Sequence, residues 1–137
     1  MSEPIREQII ARLIKLTGAR YGVPGGIDDD ELPVKILEDG SETAEADAFD
    51  QWVIELPITI AYVEAFESSD PDKMRKAAHK ALTQIVRDVY ADEDLGGLAE
   101  YVEYTGGSIQ TEAARFVFAQ AGFVVKYHTA RGDLTSN

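Results

Sequence analysis

The chain has 137 residues, 45% of them apolar and 28% charged, with no cysteine and a formal net charge of −12. That length suits one domain with a substantial core, and the balance is globular rather than disordered. The charge argues against wrapping nucleic acid or an anionic membrane, since each phosphate contact needs a Lys or Arg, and the missing cysteine removes disulfides, thiolate metal sites and a cysteine nucleophile.

In chain order, the opening MSEPIREQII carries acids and an arginine before any apolar run, unlike a signal peptide. No apolar run approaches the ~18 residues of a membrane-spanning helix, so a soluble, intracellular product is the expectation. A helix is expected over residues 3 to about 17, with Ser2 as N-cap and Pro4 where a missing N–H costs nothing. Ile5, Ile9, Leu13 and Leu16 recur at helical spacing, and Gly18 is the natural stop. GARYGVPGG then reads as a loop. In DDDELPVKILEDG, residues 34–37 form a short strand closed by Asp39 and Gly40. Residues 38–50 read as a long, acidic, solvated loop that lacks the ligand spacing of a calcium loop.

Residues 52–66 carry the clearest strand. Trp52, Ile54, Leu56, Ile58, Ile60 and Tyr62 fall on one face, a strict two-residue period. Fifteen residues exceed an ordinary strand, and Pro57 cannot donate to a ladder, so part of this strand is expected to project or bend at an edge. The best helix follows, with Asp70 as N-cap, Pro71 at its first position and an apolar stripe from Met74 to Tyr90. Its outer face carries Lys73, Lys76, Lys80 and Arg87. Two more strands are expected at 99–105 and 115–129, with Gly122 in the second marking a bulge or a backbone approached closely by another chain. GGSIQTEAA, which includes Ile109 and Gln110, reads as a candidate binding loop between them. The end of the chain, about 130–137, reads as a frayed tail.

These elements make a single α+β domain over residues 1–137. Its order is α-β-β-α-β-β, a four-stranded, mostly antiparallel sheet with helices packed on one face and one long projecting hairpin.

Catalytic patterns are missing from the sequence. Gly96 and Gly97 follow a helix and precede a strand, the reverse of a phosphate cradle, and Asp92, Glu93 and Asp94 repel phosphate. The pair reads as a structural turn that tucks Leu95 and Leu98 inward. His79 and His128 show no metal-ligand spacing, and no serine lies in a nucleophile elbow. RGD at Arg131–Asp133 is a three-residue coincidence. No catalytic residue, metal or cofactor is therefore assigned. What remains suits protein contact: an over-long strand, extended loops, segregated charge and six tyrosines.

Taken in order, PIREQIIARLIKL, LPVKILEDG, WVIELPITIAYVEAF, DPDKMRKAAHKAL, DLGGLAEYVEYTGG and FVFAQAGFVVKYHT resemble the tail terminator, or tail completion, family of tailed bacteriophages (minor tail protein U-like). The resemblance spans nearly the whole chain and lies in the order and spacing of the segments. It implies a virion structural protein with no enzymatic activity, at the head-proximal end of the tail and in the host cytoplasm during assembly. There it forms a homohexameric ring that caps the tail tube protein, stops its polymerisation and offers a docking surface to the head–tail connector or neck protein. Genomic DNA passes through the ring without specific binding, and no membrane is involved. The basic helix face against the acids of residues 28–50 (Asp28, Asp29, Asp30 and Glu31 among them) is a candidate seam between subunits. Two alternatives stay open: a connector or neck component of the same virion, and a small ligand-binding or enzymatic dimer with a pocket near His79 or His128.

Overall fold

The computed structural model describes residues 3–22, 29–66, 70–111 and 116–136. In chain order these give helix α1 (Ile5–Thr17), strand β1 (Arg20–Tyr21), a 3-10 turn (Asp29–Glu31), β2 (Val34–Asp39), β3 (Thr43–Ala46), β4 (Gln51–Ala65), helix α2 (Pro71–Tyr90), β5 (Tyr101–Gln110) and β6 (Phe116–Ala130). The architecture is α+β, two helices on one mixed sheet of six strands. The sheet runs β1-β2-β4-β6-β5, with β3 also paired to β4, and β1 lies parallel to β2. It is wider than the four strands expected because β1 and β3 come from segments that read as loops. Neither has the apolar alternation that marks a strand.

The spine is β4 against β6, paired from Gln51 opposite Ala130 to Ala65 opposite Phe116. On its other side β4 is covered by β3 at Trp52–Glu55 and by β2 at Ile58–Val63, so only its end, Glu64 and Ala65 with Val117 and Phe116, runs past β2 and β5 as a two-stranded tip. Ile54, Leu56, Ile58 and Ile60 face the same side as Tyr127, Val125, Phe123 and Ala121, and all eight are buried. Both helices cover that side: Ile5, Ile9, Leu13, Ile85 and Val89 join the same core cluster. Burying a side chain of this size contributes roughly 1.5–3 kcal/mol, so this layer dominates the fold's stability.

Pro57 lies in mid-sheet, where its missing donor coincides with a break in the neighbouring strand. Asp39 pairs with Ile58 in one register and Thr43 with Glu55 in another, leaving residues 40–42 opposite 56–57. The Gly40 amide donates to the Pro57 carbonyl at 2.9 Å, but Pro57 has no N–H to return. The Arg6 guanidinium fills that gap, donating to the Gly40 carbonyl at 2.9 Å.

Local signals account for the helix ends. Helix α1 has Pro4 at its N-cap position, and the expected cap Ser2 lies outside the described residues. It closes on Gly18 at φ 75°, in the left-handed region, while Lys35 Nζ caps the Thr17 carbonyl at 2.9 Å. Helix α2 opens with the Asp70 side chain accepting from the Asp72 amide.

Three further expectations change. The irregularity near Gly122 belongs to β5, between Tyr104 and Gly106. Gly122 is the partner approached by Thr105, whose Oγ1 lies 2.8 Å from where a Cβ would stand. Residues 106–110, read as a loop, extend β5, because the glycines that signalled a loop accommodate the bulge and the close pass of α2. A Cβ on Gly107 would meet Leu82 at 2.8 Å. The end of the chain is tied back rather than frayed. The Ile5 amide donates to the Leu134 carbonyl, the Ala130 amide to the Ser136 carbonyl, and Asp133 accepts from Thr135.

Candidate functional site

Lys73, Lys76, Lys80 and Arg87 recur every three to seven residues along α2, which places them on one exposed stripe opposite the buried Met74, Ala78, Ile85 and Val89. Lys76 shares Asp72 with Arg75. Lys73, Lys80 and Arg87 have no ion pair among the described residues, and Lys15 is the only other described lysine or arginine in that position. In a chain of net charge −12, three of the four described cations without an ion pair are thus gathered on one helix face.

The acid-rich region behaves differently. Asp28 and the side chain of Asp29 lie outside the described residues. Asp30 is exposed, and Glu31 pairs with Arg20. Asp39 and Glu42 are both held by Arg6, whose Nε donates to Asp39 at 2.9 Å and whose Nη1 donates to Glu42 at 2.8 Å. Partial burial alone would push the Asp39 carboxyl up. Hydrogen bonds from the Tyr21 hydroxyl and Arg6 outweigh it and hold the carboxyl below its ordinary value. Asp47 accepts from the Phe49 and Gln51 amides, and Asp50 pairs with Arg131. Glu38 and Glu45, with Asp30, have no ion pair among the described residues. The candidate seam therefore has fewer available acids than its sequence suggests.

After α2 the chain reverses through three successive residues of positive φ: Leu95 at 53°, Gly96 at 73° and Gly97 at 87°. Leu95 is fully buried despite that backbone, which is uncommon for a non-glycine residue. Leu98 packs half-buried against the same core. Arg12 of α1 fastens the turn by two hydrogen bonds to Asp92, at 2.7 and 3.0 Å, and these lower the Asp92 pKa. The turn's carboxylates line an open cleft of about 560 Å³ with Glu100 and Tyr101, a wall that repels phosphate.

Ile109 and Gln110 lie on β5 at the edge of the sheet. Ile109 packs half-buried with Met74 and Val117, and Gln110 is exposed. His79 is exposed on α2. His128 lies half-buried on the helix-free face of the sheet, 3.4 Å from Glu100 and 3.9 Å from Asp47. Among the described residues, no group of three or more His, Asp or Glu side chains converges as a metal site. Under α2, a cleft of about 400 Å³ holds Lys35, Tyr62, Glu64 and Lys80. There the Tyr62 hydroxyl donates to Glu64 at 2.6 Å, and burial with that bond raises the tyrosine pKa. Burial likewise pushes Tyr127 up to about 12. Both tyrosines stay neutral across physiological pH.

Sequence reasoning missed two side chains. Arg6 clamps α1 to the break between β2 and β3. The Tyr90 hydroxyl donates to the Val102 carbonyl at 2.7 Å and accepts from the Tyr104 amide at 2.9 Å, joining α2 to the outer edge of β5. Pro57 in mid-strand was a signal for the first. Nothing local marked the second. No helix among the described residues is long and apolar enough to cross a membrane. No family model matches the chain, and no curated protein matches it either.

Proposed function

We propose that this chain is a structural assembly protein of a tailed phage, a tail terminator that caps the tail tube as a homohexameric ring. It halts addition of tube protein and offers the head side a docking surface. The order of its segments supports the reading through their resemblance to that family. Within the six-stranded sheet, α1, β2, β4, α2, β5 and β6 follow one another in the α-β-β-α-β-β order read from the sequence, with β1 and β3 besides.

The observation that carries assembly over catalysis is the α2 stripe. Uncommitted Lys73, Lys80 and Arg87 on a −12 chain form a surface complementary to an acidic partner, and another copy of the same chain is the acidic partner always at hand. Head-to-tail contacts of that kind close a ring. The remaining negative charge suits a channel that DNA traverses without adhering. The test is to mix purified protein with its tube protein and image the tubes. Shortened tubes with ring-shaped density at one end are expected. Unchanged lengths with bare ends overturn the proposal.

A further inference from the structure

Strand β5 ends the sheet on its side, and its inner edge alone is paired. Backbone groups alternate along a strand. Tyr101 and Glu103, then Gly106, Ser108 and Gln110 beyond the bulge, turn theirs to β6. Val102, Tyr104, Gly107 and Ile109 turn theirs outward. The Tyr90 hydroxyl occupies two of the outward groups, the Val102 carbonyl and the Tyr104 amide. Past Thr105, the outward groups of Gly107 and Ile109 have no hydrogen-bond partner among the described residues. Natural sheet edges refuse neighbours with lysines, prolines, inward charges or internal bulges. Residues 106–110 carry no lysine, proline or charge, and the bulge precedes them.

The other side of the same sheet is also open. In β3, Thr43 and Glu45 turn their backbone groups to β4, and Ala44 and Ala46 turn theirs outward, with all four residues exposed. Strand β1 pairs only with Ile36 and Leu37 of β2 and leaves β3 uncovered. Direction is decisive here. β3 runs antiparallel to β4, β4 to β6 and β6 to β5, so β3 and β5 run in opposite senses. A second copy set beside the first in the same orientation presents its β3 antiparallel to β5, with both helix layers on one side. The acids around β3 (Glu42, Glu45 and Asp47) then meet an uncharged stretch, and no like charges oppose one another.

We infer that the outer edge of β5 at Gly107 and Ile109 takes up β3 of a neighbouring copy as an antiparallel strand, joining subunits head to tail through one continuous sheet. The inference rests on the proposed ring in taking the neighbour to be this same chain.

Amide exchange tests it on the intact chain. On passing from dilute monomer to assembled protein, the Gly107 and Ile109 amides should slow by about 100-fold or more, while Ser108 and Gln110 are protected in both states. Ala44→Pro removes an outward N–H that no internal bond uses, so the variant should fold like wild type and lose assembly together with that protection. Three results overturn the joint: fast exchange at Gly107 and Ile109 in the assembled protein, unchanged assembly and protection in Ala44→Pro, or a chain that stays monomeric at every concentration. The second result points to a symmetric β5–β5 pair. The wild-type measurement stands by itself if Ala44→Pro folds poorly. Capped tubes with unprotected amides leave the terminator reading intact and remove this joint, and protected amides with uncapped tubes do the reverse.

Discussion

The acid-rich strip before β4 and the basic stripe on α2 look like mirror images in the sequence and differ in the structure. Most described acids of the strip are held within the chain: Asp39 and Glu42 by Arg6, Glu31 by Arg20, Asp50 by Arg131, Asp47 by backbone amides. The stripe keeps Lys73, Lys80 and Arg87 uncommitted among the described residues. A run of charge in a sequence thus reports composition, and the fold decides whether that charge is spent on folding or left for a partner. The same mutation type should therefore unfold one region and merely disconnect the other.

The largest effect on stability is expected at Arg6. Arg6→Met leaves the Gly40 carbonyl without its side-chain donor and strips Asp39, whose side chain is only 9% exposed, of its cation, with the Tyr21 hydroxyl as its remaining side-chain donor. Partial exposure keeps the cost below that of a buried pair, at about 2–3 kcal/mol in urea unfolding. A loss under 0.5 kcal/mol would mean the strip is as loosely held as the stripe.

Acid should expose the same clamp. The Asp39 carboxyl is held below its ordinary value in the fold. Its contribution is therefore full above the ordinary carboxylate pKa of about 3.9 and is lost as pH falls through the depressed folded value. Unfolding midpoints measured from pH 5 down to pH 2 should fall more steeply in wild type than in Arg6→Met. Asp92 and Asp133, also held low, contribute to both proteins alike. Parallel slopes would remove Arg6 as the cause.

Smaller changes are expected at the exposed pair of the strip. Arg131→Ala breaks a contact with Asp50 in which both side chains are more than half exposed, and it should cost no more than about 0.5 kcal/mol. The least change of all is expected on α2, where Lys76→Glu with Lys80→Glu should shift folding stability by no more than about 0.5 kcal/mol. That same double variant should show the largest change in assembly, with weaker oligomers whose salt dependence is altered. Unchanged association and salt response in sedimentation would falsify the stripe as a seam.

The α+β class, both helices and the face of β4 that enters the core were legible because each rests on local periodicity. Residues 52–62 alternate strictly, and α2 pairs a capping aspartate with a proline at its first position. The additions to the sheet were not legible. Thr43 to Ala46 is small and acidic, and its strand exists because β4 offers an unpaired edge beside it. Residues 106–110 look like a loop for their glycines, yet those glycines let α2 pass close and let Thr105 bulge.

By itself, then, the sequence determined the long strands, the helices, the reversal after α2 and the sign of the surface charge. These follow from spacing and composition within a few turns of chain. Tertiary structure alone decided which charges are neutralised, that Pro57 faces a break closed by Arg6, and that the sheet keeps an open edge on each side. Each of those depends on groups brought together from distant positions, as Arg6 is to Asp39 and Tyr90 to Val102, and no local pattern encodes such a meeting.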